Sequence, residues 1–332
     1  MREVFNVRYT SIPRTVFSTL AAVVAFALAP CAAWAQYPER LIRAIVPFAP
    51  GGSNDTMARL VSPEISKALG QPVIIENRPG AAGNIGIDAV AKSAPNGYMI
   101  LFSATASTQN PALFRKLPYD PLRDIQPVAE VAQAPYVFIV NPSVPARSIQ
   151  DLINIARKHP GKLNAASGGI GTRLSSELFR IQNKLQLEII PYQGTGPAAL
   201  AVMTGESDFA IMDSSPVQGQ LAAGRLRAIA VAGEKRLKSF PSVPTAAEAG
   251  FPNYKAGAIF GVYVAAGTPP DIVQKLNSTI NKIISVPAIA QRLRELGAEP
   301  NPKSVEEFTA LYRNEIQTWK TIVKQAEIPP VD

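Results

Sequence analysis

The feature that most constrains this fold is a unit that recurs along the chain: a short apolar run, a glycine turn and then apolar residues at helical spacing. It is clearest in residues 41–60, where the apolar run at 42–48 ends at a Pro-Gly-Gly turn. Ser53, Asn54 and Asp55 are typical N-cap residues, and helical spacing then continues to Gly70. This unit predicts a strand, a tight turn and a helix.

The same unit follows in later segments. Further strands are predicted at 72–77, 98–103, 163–166, 187–192 and 208–213. Polar loops are predicted at 103–110 and 167–172, with helices beginning at Arg173 and at Pro197. Strands that alternate with helices predict parallel, doubly wound sheets, in which the loops at the carboxyl ends of the strands form the ligand crevice.

Two strands, at 136–140 and 258–265, are placed where the chain crosses between two α/β lobes. The predicted organisation is a leader at 1–35, a first lobe at 36–138, a second lobe at 139–258 and a return to the first lobe at 259–332. The proline-rich stretch 117–127 is predicted to be irregular. Three helices are predicted to complete the chain, at 269–285, at 287–296 and from Ser304, which forms a capping box with Glu307.

The N-terminus has the three parts of a secretory signal peptide. Arg2, Arg8 and Arg14 give a basic start, residues 16–28 are apolar, and Ala33-Trp34-Ala35 is a small-residue cleavage site. We therefore expect cleavage after Ala35 and a periplasmic protein. Two alternatives stay open: a short N-terminal anchor, and a lipoprotein acylated at Cys31, although Pro30 fits a lipobox poorly.

Charge and cysteine content narrow the class of protein. The 332 residues carry a formal net charge of +8, and loss of residues 1–35, with three arginines and one glutamate, leaves +6. This charge is spread along the chain without a basic stripe or interleaved aromatic residues, so nucleic acid is not an expected partner. Cys31 is the single cysteine, and the mature chain must therefore be held together by its core.

Residues that commonly carry catalysis are scarce. The single histidine, His159, follows a predicted helix, where a cation complements the helix dipole. The sequence has no GxSxG motif and no metal-ligand cluster, so neither a metal nor a cofactor is expected. The runner-up signal is a dinucleotide-type turn at Gly194-Thr195-Gly196 with Asp213 closing the next strand.

Neutral hydrogen-bonding side chains are instead concentrated at the predicted strand ends. They are Ser53, Asn54, Ser103, Thr105, Ser107, Asn110, Ser167, Thr172, Gln193 and Thr195. Together with the amides of glycine turns and helix N-termini they offer many hydrogen bonds and no acid–base pair. This set is typical of a binding protein rather than an enzyme.

A series of short motifs carries a resemblance that covers nearly all of residues 36–332. The motifs are YPER at 37–40, VPFAPGG at 46–52, ENRPGAAG at 76–83, NPALF at 110–114, PYQG at 191–194, GRLRA at 224–228, PSVPT at 241–245, EAG at 248–250 and AGTP at 266–269. With these motifs the chain resembles the Bug-type receptors, the periplasmic solute-binding proteins of tripartite tricarboxylate transporters.

The resemblance implies a two-lobed Venus-flytrap fold with a parallel-rich sheet in each lobe and a small carboxylate bound in the cleft between them. The implied contacts are Phe48, Ala49, Gly51, Gly52, Ser53, Ser103 and Thr105 in the first lobe, and Ser167, Gly169, Thr172, Gln193, Thr195 and Asp213 in the second. The implied partners are the carboxylate and the membrane permease subunits, with the receptor a monomer. A ligand sensor, a hydrolytic or nucleotide-dependent enzyme and a ligand-free scaffold are the alternatives.

Two positions depart from the family pattern and bear on the ligand. Where the family has a longer Gly-x-Gly-Thr-x-x-His-Leu segment, this chain runs directly from Thr172 to Arg173, and Ile259 stands where a tryptophan is common. A cation in the first turn of a helix opposes the macrodipole, so helix chemistry gives no reason for Arg173. We therefore expect Arg173 to hold a second carboxylate, and Ile259 to leave room for a bulky ligand body, aliphatic or aromatic.

Overall fold

The opening unit is present in the computed structural model, which describes residue 1 and residues 37–331. Strand β1 (Ile42–Val46) is followed by helix α1 (Ser53–Leu69), and Gly70 ends the helix in the left-handed conformation. The predicted leader, its cleavage after Ala35 and Cys31 lie outside the described residues. All elements below lie in residues 40–331, which belong to one compact unit.

The described residues contain nine further strands in addition to β1. They are β2 (Val73–Asn77), β3 (Met99–Ser103), β4 (Ile125–Val140), β5 (Asn164–Ser167), β6 (Glu188–Pro191), β7 (Phe209–Asp213), β8 (Arg227–Val231), β9 (Gly257–Ala265) and β10 (Glu299–Pro300).

Nine helices follow α1 in the same part of the chain, and none of the described helices is long and apolar enough to cross a membrane. They are α2 (Asn84–Ala91), α3 (Ala106–Leu113), α4 (Ile149–Lys158), α5 (Ile170–Gln182), α6 (Thr195–Thr204), α7 (Gln218–Ala222), α8 (Pro270–Ile284), α9 (Pro287–Glu295) and α10 (Val305–Gln325). Short 3-10 turns occur at Ala81–Gly83 and Ser215–Val217.

The predicted parallel pairing is confirmed in both halves of a mixed sheet. Strand β1 pairs in parallel with β2 and β3, and β5 pairs in parallel with β6 and β7. We call the part of the chain built on β1, β2, β3 and β9 the first lobe, and the part built on β5 to β8 the second lobe. Each lobe thus has a parallel three-stranded centre, as expected for strands joined by crossover helices.

Strand β4 joins the two lobes because its pairing partner changes along its length. Residues up to Pro135 pair antiparallel with β9, whereas Tyr136 lies opposite Asp213 of β7 and Val137 opposite Val231 of β8. The predicted crossing at 136–140 is therefore the second half of a longer strand. The lobe boundaries at 138 and 258 remain a prediction.

The apolar core explains why these elements assemble. One cluster brings together Ile45, Leu101 and Tyr263 of the first-lobe strands with Phe308 and Tyr312 of α10, and it also contains Ile170 and Leu174 of α5. A second cluster joins Val137 and Ile139 of β4 to small residues of the second lobe, including Ala166, Ala198 and Ala210. Helix α5 thus contributes apolar side chains to the first-lobe core although its neighbouring strand β5 lies in the second lobe.

Four sequence predictions about element boundaries are wrong. Residues 106–110 are not a loop but the start of α3, in which the Thr108 hydroxyl donates to the Thr105 carbonyl and the Asn110 amide donates to Asn84. Helices α5 and α6 begin at Ile170 and Thr195, before Arg173 and Pro197, because Gly169 and Gly194 are their N-caps. Strand β4 begins at Ile125, inside the stretch predicted to be irregular.

The predicted N-cap of α1 is also wrong. Gly52 occupies the N-cap position, and no side chain caps the helix there. Ser53 is the first helical residue, and its hydroxyl is engaged with the second lobe instead.

Candidate ligand-binding site

The loops that open α1 and α6 meet between the two lobes at Ser53. The backbone N–H of Ser53 donates to the Thr195 hydroxyl at 2.9 Å, and the two hydroxyl oxygens lie 2.6 Å apart. The Ser53 hydroxyl also lies 2.6 Å from Oδ2 of Asp213, to which it donates. The turn between β1 and α1, the turn between β6 and α6 and the end of β7 therefore converge on one point.

Backbone contacts between the same loops leave little space for side chains. The Ala49 N–H donates to the Gln193 carbonyl at 2.9 Å. A Cβ atom on Gly196 would lie 3.0 Å from the backbone of Gly51, and one on Gly52 would lie 3.1 Å from the Thr195 hydroxyl. Contacts this short are rarely adopted by real Cβ atoms, so glycine allows the two turns to approach.

Asp55 holds the Pro-Gly-Gly turn in place. Its carboxylate accepts hydrogen bonds from the Gly51 N–H at 3.0 Å, from Arg59 Nε at 2.9 Å and from Asn77 Nδ2 at 3.0 Å. Burial alone would raise the pKa of Asp55, but the hydrogen bonds from Arg59, Gly51 and Asn77 together with the charge of Arg59 outweigh it and lower that pKa. An ionised Asp55 therefore fixes the turn that faces Thr195.

Asp213 is the acidic group at the centre of this contact, with a residue exposure of 2%. Besides Ser53, its donors are the Ser215 hydroxyl at 2.7 Å and the Ser215 N–H at 3.2 Å. Together with Ser53, these donors are two hydroxyls and a backbone amide. Burial raises the pKa of Asp213, and the hydrogen bonds from Ser53 and Ser215 offset that rise only in part.

Four helices begin around the contact between Ser53, Thr195 and Asp213, and no side chain caps the N-terminus of any of them. Their N-caps are Gly52 for α1, Thr105 for α3, Gly169 for α5 and Gly194 for α6. Amides in the first turn of a helix have no intrahelical acceptor, and the macrodipole gives that end partial positive charge. By contrast, α4 and α10 are capped by the hydroxyls of Ser148 and Ser304.

The first residues of these helices line a cavity of about 30 Å³, the size of one or two water molecules. Seven of the predicted site residues line it: Phe48, Ser53, Thr105, Gly169, Thr172, Thr195 and Asp213. Phe48 and Ala258 supply apolar wall, and Tyr136 contributes from the crossing strand β4. The neutral hydroxyls and the helix N-termini thus face one another across a small space.

The other predicted residues lie beside the cavity rather than in its lining. Ala49, Gly51, Gly52 and the Gln193 backbone form the contact between the turns. The Ser167 hydroxyl donates to the Gly169 carbonyl at 3.0 Å and so supports the loop. The hydroxyl of Ser103 is buried and has no hydrogen-bond partner among the described residues.

Arg173 is the fourth residue of α5, where its N–H donates to the Gly169 carbonyl. Its Nε is buried and has no hydrogen-bond partner within residues 37–331. No carboxylate of those residues forms an ion pair with its guanidinium. A buried, unpaired guanidinium N–H is costly, so this group is available to an acceptor from outside the chain.

Sequence reasoning did not select Gly171, Tyr136 or Gln109. A Cβ on Gly171 would lie 2.7 Å from the Thr105 hydroxyl, 2.9 Å from Gln109 Oε1 and closer still to the Tyr136 hydroxyl. Gly171 therefore lets α5 approach first-lobe residues, and only the glycine-rich stretch around it hinted at this. Burial raises the pKa of Tyr136, so its hydroxyl stays protonated.

No group of three or more histidine, cysteine, aspartate or glutamate residues suited to a metal ion occurs in the described part of the chain. A separate pocket of about 250 Å³ lies among Leu122, Tyr312 and Arg313, and none of the predicted site residues lines it.

The chain is similar to a family of known receptors and to proteins solved with small acids. Residues 57–328 match the family model TctC, the tripartite tricarboxylate transporter family receptor. Protein BugT of Bordetella pertussis is 36% identical over 293 residues, which are 87% of this chain and 90% of BugT.

Two solved structures extend the comparison. The R. palustris protein Rpa4515 with adipate has a TM-score of 0.86 and 34% identity, covering 89% of this chain and 100% of that one. MatC from Rhodopseudomonas palustris with bound malate has a TM-score of 0.83 and 33% identity, covering 86% of this chain and 100% of that one.

Proposed function

The chain belongs to the Bug-type receptors of the tripartite tricarboxylate transporter family, and on this basis we propose that it binds a small dicarboxylate between its two lobes and delivers it to the permease subunits of such a transporter. The family is one of periplasmic solute-binding proteins. We propose the same location for this chain, reached by cleavage after Ala35, and a monomeric receptor.

The observation that carries the proposal is the convergence of four uncapped helix N-termini on one cavity. Their dipoles and first-turn amides favour an anion, and a carboxylate accepts hydrogen bonds from several N–H groups at once. The Ser53 N–H, which donates to the Thr195 hydroxyl, would have to exchange that partner for the ligand. The hydroxyls of Ser53, Thr195 and Thr172 line the same cavity, where Ser53 donates to Asp213 and Thr172 donates to the Gly169 carbonyl. An arrangement of this kind binds a carboxylate without the need for a lysine or an arginine beside it.

Two observations favour a ligand with a second carboxylate. Adipate and malate, the acids in the two similar structures, each carry two carboxylates. Arg173 has a buried Nε without a partner in the described residues, and its planar fork suits bidentate recognition of a carboxylate. We propose that the amides at the start of α1 hold one carboxylate and that Arg173 holds the other.

The body of the ligand would lie against apolar residues near Ile259. This residue is half-buried and packs against the apolar cluster that contains Phe48 and Ile170, two residues of the cavity lining. Because isoleucine is smaller than the tryptophan common in the family, the pocket would accept a bulky aliphatic or aromatic body.

Admission of such a ligand requires a movement of the lobes. A dicarboxylate is larger than a cavity of about 30 Å³. We propose a hinge rotation at the two crossings, residues 136–140 and 258–265. One lobe would comprise residues 36–138 and 259–332, and the other residues 139–258. The Ser53 contacts with Thr195 and Asp213 would re-form around the bound acid.

The proposal is for a receptor without catalytic activity. Asp213 and Tyr136 are the titratable groups in the lining of the cavity within the described residues, and the donors to Asp213 are hydroxyls and an amide. His159 follows α4 and does not line the cavity. Among the described residues the lining pairs Asp213 with the Ser53 hydroxyl but holds neither a histidine nor a second carboxylate, and this inventory favours binding.

A thermal-shift screen of the mature protein with mono-, di- and tricarboxylates tests the proposal. A ligand at about 100 times its dissociation constant stabilises the folded state by about 2.7 kcal/mol. We expect at least one dicarboxylate to raise the melting temperature more than its monocarboxylate analogue. Absence of a shift with every acid, together with turnover of any one of them, would overturn the receptor assignment.

A further inference from the structure

Asp213 is a buried carboxylate at a site proposed to bind an anion. None of the described lysine, arginine or histidine residues forms an ion pair with it. The elements packed around it present Ser53 from α1, Thr195 from α6, Ser215 from the 3-10 turn and Tyr136 from β4. Tyr136 is the titratable group among these four, and it is neutral.

Other charged groups nearby are directed elsewhere. Asp55, at the start of α1, accepts hydrogen bonds from Gly51, Arg59 and Asn77 rather than facing Asp213. Arg59 is paired with Asp55 at 2.9 Å. A dicarboxylate beside Asp213 would therefore add negative charge to a buried negative charge. The helix dipoles, and Arg173 with its one positive charge against two carboxylates, offset this repulsion only in part.

We infer that the protein takes up one proton from solvent when its lobes close on a carboxylate ligand, and that Asp213 holds this proton. The inference rests on the proposed function. In the step, a solvent or buffer proton binds one oxygen of Asp213, and no covalent bond within the chain or the ligand is broken.

The hydroxyl chain from Asp213 to Thr195 explains what the proton changes. When Asp213 is ionised, Ser53 donates to it, and the 2.6 Å approach of the two hydroxyl oxygens then requires Thr195 to donate to Ser53. When Asp213 is neutral, it donates to Ser53, Ser53 donates to Thr195, and the Thr195 hydroxyl hydrogen is released.

Thr195 lines the cavity, and its oxygen also accepts from the Ser53 N–H. The released hydrogen can therefore point to a ligand carboxylate. Protonation of Asp213 removes one charge and adds one donor facing the ligand. The raised pKa that burial gives Asp213 has the direction this requires.

Isothermal titration calorimetry in buffers of different ionisation enthalpy tests the inference, with adipate and malate as probes. From about pH 6 to about pH 8 these acids are largely ionised. We expect the apparent enthalpy to change linearly with the ionisation enthalpy of the buffer, with a slope showing uptake of up to one proton per ligand bound. Affinity should rise by up to about tenfold for each pH unit lowered.

The variant Asp213→Asn should lose the buffer dependence and bind adipate more tightly than the wild type at about pH 8, because its side chain cannot carry a charge. Asp271→Asn, an exposed aspartate of α8, is the matched control and should keep the wild-type slope. Melting temperatures without ligand show whether either variant is merely destabilised.

Binding of either acid with no buffer dependence, or an unchanged slope in Asp213→Asn, would overturn the inference and leave the proposed function standing. A loss of affinity for malate alone in Asp213→Asn would also overturn it, because Asp213 would then accept a hydrogen bond from the malate hydroxyl as a carboxylate. No binding of any acid in the thermal screen would instead contradict the proposed function.

Discussion

The Ser53 hydroxyl lies 2.6 Å from Oδ2 of Asp213, although 160 positions separate the two residues in the chain. Ser53 begins the first helix of the first lobe, and Asp213 ends a central strand of the second. Their contact therefore reports directly on whether the two lobes are together. It also places a hydroxyl, rather than a cation, opposite the buried carboxylate.

Replacement of Ser53 by alanine should weaken ligand binding. The variant loses the hydroxyl contacts with Asp213 and Thr195, and leaving a buried polar group without its partner costs about 1–3 kcal/mol. We expect the affinity for adipate to fall by roughly tenfold or more in calorimetry. Ser278→Ala, an exposed helical serine, is the control, and equal affinity of the two variants would show that the contact is not part of the bound state.

Gly171→Ala should reduce affinity without loss of fold. Alanine is the better helix former, but its Cβ would meet Thr105, Gln109 and Tyr136 when the lobes are together. Overpacking of this kind costs about 1–3 kcal/mol, so we expect a loss of roughly 5- to 150-fold in binding. The exposed Gly219 of α7 has no atom within 4 Å of the corresponding position, and Gly219→Ala should bind normally.

A result in which Gly171→Ala binds as well as Gly219→Ala would show that α5 does not approach α3 in the bound state. Melting curves measured without ligand show whether Gly171→Ala destabilises the folded protein or only hinders the two lobes from coming together.

Arg173→Ala and Arg173→Lys should discriminate between ligands. If Arg173 takes the second carboxylate through its planar fork, a dicarboxylate loses about 1.5–3 kcal/mol of binding free energy and the monocarboxylate analogue changes little. Calorimetry with adipate and hexanoate measures the difference. Equal losses for both acids, or none for either, would remove Arg173 from the site.

Glu130 should make the folded state less stable as the pH rises. It is fully buried in β4 and accepts a hydrogen bond from Asn301 at 2.7 Å. Burial raises its pKa above the ordinary value of 4.5, with a smaller rise from Glu315 and opposing effects of Asn301, Gln133 and Lys303. The folded state therefore favours the protonated acid. The contribution of Glu130 to the free energy of unfolding is fully present below pH 4.5, and it is lost as the pH rises through the pKa of Glu130 in the folded protein.

Glu130→Gln keeps an acceptor for Asn301 and cannot ionise. In denaturant unfolding at a series of pH values, the stability of the variant relative to the wild type should increase from about pH 4.5 upwards. Parallel pH profiles of the two proteins would contradict this account of Glu130.

The sequence was sufficient to predict the parallel strand–turn–helix units because their signals are local. Gly70 ends α1 in the left-handed conformation, and the Ser304–Glu307 capping box opens α10, as expected from residue type alone. Helix α3 was missed because Ser107, Thr108 and Asn110 have low helix propensity. Their burial against Asn84 and Tyr312 decides the conformation instead.

The first half of β4 was missed for a different reason. Pro127 interrupts the apolar pattern, but it lies at an irregularity in the pairing with β9, where the missing N–H is tolerated. At the site, residue types pointed to Ser53, Thr195 and Asp213 one by one. That they touch one another depends on lobe geometry, which no local pattern encodes.

The most direct test of the central claim is calorimetric titration of the mature protein with adipate and malate against the matched neutral amides, adipamide and malamide. The amides keep the size and shape of the acids but carry no charge. If the converging helix N-termini form a carboxylate site, at least one acid binds saturably at one site per chain and its amide does not bind measurably. Equal binding of an acid and its amide, or no binding of either acid, would contradict the assignment of this site to a dicarboxylate.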